Sequence, residues 1–286
     1  MAKKKLASSY TLEEQVTAMM AREFGPEEEL GVTGMLSHAF VAVVLAQHLY
    51  APKLCIYGGS RGRGCLMSNV RFPFDATEVP EEFIESLMEM EDGLNFQVGG
   101  KWNIFMQPAQ IDQYGNMNIS VIGDWKKPNV ALVGARGVPD NTANGGRIYY
   151  TINNHSKRTF VEKVDFICGA GYTKDRKNGT IKYGAVKKVF SELGIFDFDK
   201  KTGRMRLASV HTGVTVDQII ENTGFELIIP DPVPETPAPT EEEVHYLRDI
   251  VDPPGVRRFD LAKGEAKQKI LQEIMGGTSY EMIYGK

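Results

Sequence analysis

The chain has 286 residues, 42% hydrophobic and 24% charged, the composition of a globular protein with enough length to bury a substantial core. A formal net charge of -4 leaves no basic field for a nucleic-acid backbone to lean on. The longest apolar run, Phe40 to Ala46, is far shorter than the roughly 18 residues a membrane helix needs, so no membrane span is expected. Three cysteines, Cys55, Cys65 and Cys168, show no CxxC spacing, and Lys3-Lys4-Lys5 is not followed by an apolar leader. Both features point to a cytoplasmic protein.

Thr11-Leu12-Glu13-Glu14 reads as an N-cap and acidic first turn, opening an amphipathic helix that ends near Gly25-Pro26. Leu30 to Gly34 reads as a short strand and turn, followed by a helix from about Leu36 to Leu49 that is apolar on most faces. Leu54-Cys55-Ile56-Tyr57 is a plausible second parallel strand, running into the glycine-rich turn Gly58 to Gly64. That turn lacks the GxxxxGK[ST] pattern; with Arg61 and Arg63 it is either an anion contact or a plain crossover. Pro80 to Met90 is expected as an acidic helix with Phe83, Ile84, Leu87 and Met88 turned inward.

Asn103 to Met106 and Val130 to Val133 read as strand ends, each followed by a turn rich in Gly, Asn, Asp and Pro: Gln107 to Asn118 and Gly134 to Asn144. Loops of this kind commonly carry function. Arg147 to Ile152, Thr159 to Ile167, Val186 to Phe190, Ile195 to Phe198 and Met205 to Val210 read as strands, with a hairpin turn at Lys200 to Gly203. Thr215 caps a helix that stops before Gly224, and Phe225 to Ile229 closes the body. Pro230 to Pro239 holds five prolines and reads as an extended connector before two more helices, from Thr240 and from Ala262. The expectation is an α/β domain over residues 1–229, with a connector and helices over 230–286 packing on the body or on a partner.

Three kinds of chemistry are disfavoured by spacing. His38, His48, His155, His211 and His245 lie far apart with no metal-ligand pattern, so no metal is expected. No GxSxG elbow is present, and Ser60 has no clear His and Asp partners in sequence order. No GxGxxG follows the first strand, which argues against a dinucleotide cofactor.

The stretch Ala109-Gln110-Ile111-Asp112-Gln113-Tyr114-Gly115-Asn116-Met117-Asn118 closely resembles the signature of the beta subunit of class I CoA-transferases, such as glutaconate CoA-transferase. The likeness runs collinearly from about Tyr10 to Asp252, through Tyr50-Ala51-Pro52, Ile122-Gly123-Asp124, Gly194 to Phe198 and Glu221-Asn222-Thr223-Gly224-Phe225. It implies an open, mostly parallel α/β sheet of the CoA-transferase type and an alpha subunit as partner in an α2β2 heterotetramer. The active site would lie at the interface of the two subunits. Coenzyme A would enter as part of the substrate, with no permanently bound cofactor.

Where such transferases carry a catalytic glutamate, this chain has Gly59, which cannot hold CoA as a glutamyl thioester. Gly134 to Asn144, with Asn154-His155 and Lys157 to Asp165, resembles instead the beta subunit of IpdAB-type enzymes, CoA-transferase-like hydrolases of steroid catabolism. That branch implies hydrolytic, retro-Claisen ring opening of a cyclic β-keto acyl-CoA, with the key glutamate on the alpha subunit. The alternatives are a transferase with its carboxylate moved to Glu78 or Glu91, and a non-catalytic chain that stabilises the alpha subunit.

Under this resemblance Arg136 and Asn141 are the candidate catalytic residues, beside a backbone cradle formed by Gly134, Ala135 and Gly137. Arg136 serves either the CoA ester or the loop's own carbonyls. Tyr57, Gly58 and Gly59 line the site by position, and Thr142 and Asn144 follow the cradle as further substrate contacts. Gln110, Asn116 and Asn118 either touch substrate or lock their turn, and His155 either moves a proton or is a structural hydrogen-bonder.

Overall fold

The computed structural model describes residues 5–33, 37–60, 62–72 and 79–275. The chain forms two compact units, residues 1–90 with 237–286, and residues 91–236. The sequence suggested a boundary at 229/230; the contacts instead return the C-terminal helices to the N-terminal unit.

In the first unit α1 (Leu12–Ala21) opens on a capping box: Thr11 Oγ1 accepts from the Glu14 amide at 3.3 Å while Glu14 Oε2 accepts from the Thr11 amide at 2.9 Å. Two donors that a helix start leaves unpaired are thereby satisfied. β1 (Leu30–Val32) is buried throughout. α2 (Ser37–Leu49) contains the run Val41 to Ala46, which has no exposed surface, so this helix is apolar all round because it is enclosed.

β2 (Cys55–Ser60) pairs parallel with β1, Leu30 opposite Cys55. Gly58 to Gly64, expected as a loop, is instead mostly strand. β2 and β3 (Arg63–Met67) form a hairpin in which Gly58 faces Cys65 and Gly59 faces Gly64, with Gly62 at the reversal. The acidic helix expected over Pro80 to Met90 is also absent. A single 3-10 turn at Glu81–Phe83 leads into β4 (Ile84–Met88), antiparallel to β3. Cross-strand pairing outweighs the helix propensity of these acidic residues.

In the second unit α3 (Met90–Val98) precedes β5 (Asn103–Met106), a fully buried strand. β6 (Gln110–Ile111) and β7 (Met117–Asn118) form a small hairpin, and β8 (Val121–Asp124) with β9 (Lys127–Ala131) a second one whose outer strand is exposed at every residue. Of the expected strand end at Val130 to Val133, only Val130 and Ala131 belong to this solvated hairpin. The Gly134–Asn144 turn is half helix, α4 (Val138–Asn144), and β10 (Arg147–Ile152) follows. After α5 (Lys174–Lys177) come β11 (Ala185–Ser191), β12 (Gly194–Phe198) and β13 (Met205–Val210).

β10 lies parallel between β5 and β11, with β12 and β13 added antiparallel. Phe105, Tyr149 and Phe190, one from each parallel strand, pack together, with Phe105 stacked on Tyr149 at 5.0 Å. α6 (Val216–Asn222) carries the expected Thr215 cap, completed by Gln218.

Two expected strands fail to form. Thr159 to Ile167 buries Phe160 and Val164 as its alternation suggested, but makes only an isolated bridge from Phe160 to Ile111. Phe225 to Ile229 makes one bridge, Ile228 to Arg206. Both read as strands because their apolar residues alternate, yet neither finds a continuous partner edge.

The chain then rejoins the first unit. α7 (Glu241–His245), capped by Thr240 and Glu243, continues into one π-helical stretch (Tyr246–Val251), and α8 (Gly264–Met275) follows. The return is fastened by charge. Glu14, almost fully buried, receives Arg248 at 2.7 and 2.8 Å and Arg257 at 3.0 Å, and Arg257 also reaches Asp252 at 2.9 Å. Glu243, wholly buried, takes Arg22 at 2.6 and 2.7 Å and the Tyr50 hydroxyl at 2.5 Å. Among the described residues no helix is long and apolar enough to cross a membrane.

Candidate active site

On β2 the candidate positions Tyr57, Gly58 and Gly59 are held by pairing with Leu66, Cys65 and Gly64. From Cys55 to Met67 this hairpin contains no acidic residue. Ser60 is buried, and its hydroxyl accepts from the Val79 amide at 3.1 Å, which employs it structurally. Arg63 pairs with Glu89 at 2.7 Å; Arg61 lies outside the described residues.

The second unit holds most of the remaining candidates, and their hydrogen bonds separate scaffold from free groups. Asp112 organises the β6–β7 turn: Oδ1 accepts from the amides of Tyr114 at 2.9 Å and Asn116 at 3.1 Å, and Oδ2 from Asn116 Nδ2 at 2.8 Å. Burial raises its carboxyl pKa, partly offset by these donors. Asn116 Oδ1 in turn accepts from the Gly171 amide at 2.9 Å. A Cβ at Gly171 would stand 2.0 Å from the Tyr114 carbonyl, so only glycine permits this approach.

Gln110 is equally committed. Its Nε2 donates to Asp165 at 2.9 Å, while Oε1 accepts from the Asp165 amide at 3.1 Å and from Asn118 Nδ2 at 2.7 Å. These residues lock their turn. Three stretches that carried the sequence resemblance meet at a polar cleft of about 500 Å³, through Gln113, Tyr114, Glu162, Gly224 and Phe225.

His155 is buried, with Nδ1 3.0 Å from the Ser191 hydroxyl, Nε2 3.0 Å from that of Thr223, and its ring stacked on Phe160 at 3.8 Å. Burial pulls its pKa down to about 3, so at neutral pH it is uncharged and both nitrogens are engaged internally. This geometry is that of a structural hydrogen-bonder.

The 134–144 loop is different. Gly134 donates its amide to the Ile119 carbonyl at 3.1 Å and has φ +84°; Arg136 also has positive φ, +48°, unusual for a residue with a side chain. The Val138 amide closes a turn onto the Ala135 carbonyl at 3.0 Å, and α4 begins with Gly137 as its N-cap. The Arg136 side chain is exposed and makes no ion pair or hydrogen bond with any described residue. The amides of Ala135, Arg136 and Gly137 also have no partner among the described residues.

Asn141 and Thr142, by contrast, hold α4 in place. Asn141 Oδ1 accepts from Gln97 Nε2 at 2.5 Å. Thr142 Oγ1 lies 3.0 Å from the Val138 carbonyl and accepts from the Ala170 amide at 3.1 Å. Asn144 ends the helix, half-exposed. The loop therefore presents free donors on a fixed base, an arrangement suited to an oxyanion or another negative group. Among the described residues, no three or more His, Cys, Asp or Glu side chains gather as a metal would require.

The Coenzyme A transferase family model matches residues 70–222. The chain is 33% identical over 249 residues to the cholesterol ring-cleaving hydrolase IpdB subunit of Mycobacterium tuberculosis, covering 86% of this chain and 97% of that protein. It is 33% identical to the beta subunit of glutaconate CoA-transferase from Acidaminococcus fermentans, over 66% of each. Among solved structures, IpdAB of Rhodococcus jostii RHA1 superposes with a TM-score of 0.79 at 28% identity, covering 90% of this chain and 100% of that one. The sheet, the loops and these relatives agree: the chain belongs to the Coenzyme A transferase family.

Proposed function

We propose that this chain is the beta subunit of a heteromeric cytoplasmic hydrolase that opens the ring of a cyclic β-keto acyl-CoA, as in steroid breakdown. The observation that carries this reading is the β2–β3 hairpin, in which Gly59 faces Gly64 and no carboxylate occurs between Cys55 and Met67. A chain without that carboxylate cannot carry CoA as a thioester there, but it can still bind an acyl-CoA and stabilise charge. The relatives named as IpdB and the IpdAB structure support a ring-cleaving role and an alpha subunit as partner.

In this reading a carboxylate on the alpha subunit activates water, which adds to the ring ketone and gives a tetrahedral alkoxide. Collapse of the alkoxide breaks the bond to the carbon alpha to the thioester. A carboxylic acid forms, and the electron pair remains as a thioester enolate that takes up a proton. The Ala135 to Gly137 amides and the Arg136 guanidinium supply donors for the oxyanion or the CoA ester, and coenzyme A is part of the substrate. Asn141 and Thr142 support the loop from behind.

The relationship to glutaconate CoA-transferase favours a second reading, CoA exchange between carboxylic acids. Its carboxylate would have to be moved: Glu91 is exposed on α3, and Glu78 lies outside the described residues. The test is turnover of a cyclic β-keto acyl-CoA by the copurified alpha–beta complex in ¹⁸O-water, with and without a free acid. Label in a new carboxylate without any acceptor is expected; exchange that requires the acceptor would reject the hydrolase. Arg136→Ala should cost about 2 kcal/mol in kcat/KM, the scale of a lost charged hydrogen bond. Unchanged kinetics would remove Arg136 from the site.

A further inference from the structure

Arg176 lies on α5, where Lys174, Asp175 and Lys177 are all exposed, yet its own side chain turns inward. Its Nε donates to the Gly171 carbonyl at 3.0 Å, and Nη2 to the carbonyls of Thr142 at 2.8 Å and Ala170 at 3.2 Å. Nη1 donates to the Tyr183 carbonyl. No described carboxylate pairs with it. One planar cation thus gathers four backbone carbonyls, three within seven residues of it and one, that of Thr142, 34 residues away.

The segments it joins are those behind the free loop. Thr142 is in the last turn of α4, where helix carbonyls lack intrahelical partners and a cation is favourable. Ala170 donates its amide to the Thr142 hydroxyl, and Gly171 donates its amide to Asn116. The chain also passes close to the same carbonyl: a Cβ on Gly184 would stand 2.4 Å from the Thr142 oxygen.

We propose that Arg176 is a positioning residue that fixes the end of α4, and through it the Gly134–Gly137 loop, in the conformation that receives the acyl-CoA. This rests on the functional reading above. A lysine keeps the charge but offers a single ammonium in place of a planar fork, so charge alone will not restore the arrangement.

The test uses the full-length chain copurified with its alpha subunit, as wild type, Arg176→Lys and Arg176→Gln. Amide exchange is followed over residues 138–145 and, as an internal reference, over β10 and β11; affinity is measured calorimetrically with coenzyme A as the probe. Both variants should exchange at least tenfold faster over 138–145 with the reference strands unchanged, and bind coenzyme A at least tenfold more weakly. Unchanged exchange in α4, equal loosening of β10 and β11, or full recovery by lysine would overturn the proposal. So would unchanged affinity in a variant whose α4 has loosened. If the wild-type complex takes up no coenzyme A, the functional reading fails instead, and the exchange measurement alone decides whether Arg176 fixes α4.

Discussion

The first unit closes around Glu14 and Glu243, buried carboxylates that meet Arg248, Arg257 and Arg22 as paired charges. The second unit holds its loops with Gln110, Asn116, Asn118 and Thr142, uncharged side chains bonded to each other, to backbone and to the carboxyls of Asp112 and Asp165, beside a guanidinium that meets only carbonyls. Paired charge tolerates small changes of angle but not the loss of a partner, whereas amide networks depend on geometry at every member. The first arrangement suits fastening chain segments together; the second suits holding a loop to within tenths of an ångström.

The largest expected effect breaks the charged side. Glu14→Gln removes one of the two carboxylates that hold buried Arg257, leaving Asp252 alone, and should cost about 3 kcal/mol of unfolding free energy by urea titration. A cost below half a kcal/mol would mean that the cluster contributes little net stability. On the amide-network side Asp112→Ala strands the buried amide of Asn116 along with its side chain and should cost about 2 kcal/mol. Increased protease cleavage near 112–118 would locate the damage.

Acid titration separates the two kinds of group by pH window, since in both the folded pKa is depressed and acid costs stability. Folded His155 holds a proton far more weakly than the unfolded residue, about 3 against 6.5, so the unfolded chain binds more protons across that window. Stability should therefore fall as pH drops from 6.5 towards 3, and His155→Gln should flatten this slope. Against opposing burial, Arg248 and Thr11 hold the Glu14 pKa low, and Arg22 and Thr240 do so for Glu243. Their contribution is present above about 4.5 and is lost only as pH falls below it. A wild-type curve flat down to pH 5 would contradict the assignment for His155. The smallest effect is reserved for an exposed pair: Lys5→Ala, which removes the contact to Glu241, should leave the melting temperature unchanged within error.

Much of this contrast was legible before any coordinates. The Thr11, Thr215 and Thr240 helix starts carry their signals within four residues, and the enclosed α2 shows as an apolar run. The turns at 107–118 and 134–144 stand out by composition. What escaped depends on partners distant in sequence. Glu14 reads as a first-turn surface carboxylate because its arginines lie more than 230 residues away. Gly58 and Gly59 suggest a loop because glycine opposite glycine in a hairpin gives the same composition. Arg176 sits in the basic stretch Lys174 to Lys177, where nothing local distinguishes the one side chain that turns inward.

The closure around Glu14 also sets an order of events during translation. Residues 91–236 are contiguous and can pack once they have left the ribosome. Helix α1, made before that unit, must wait with an uncompensated acid until Arg248 and Arg257, made after it, have emerged. A nascent chain stalled before that point would hold a finished middle and an unfinished beginning.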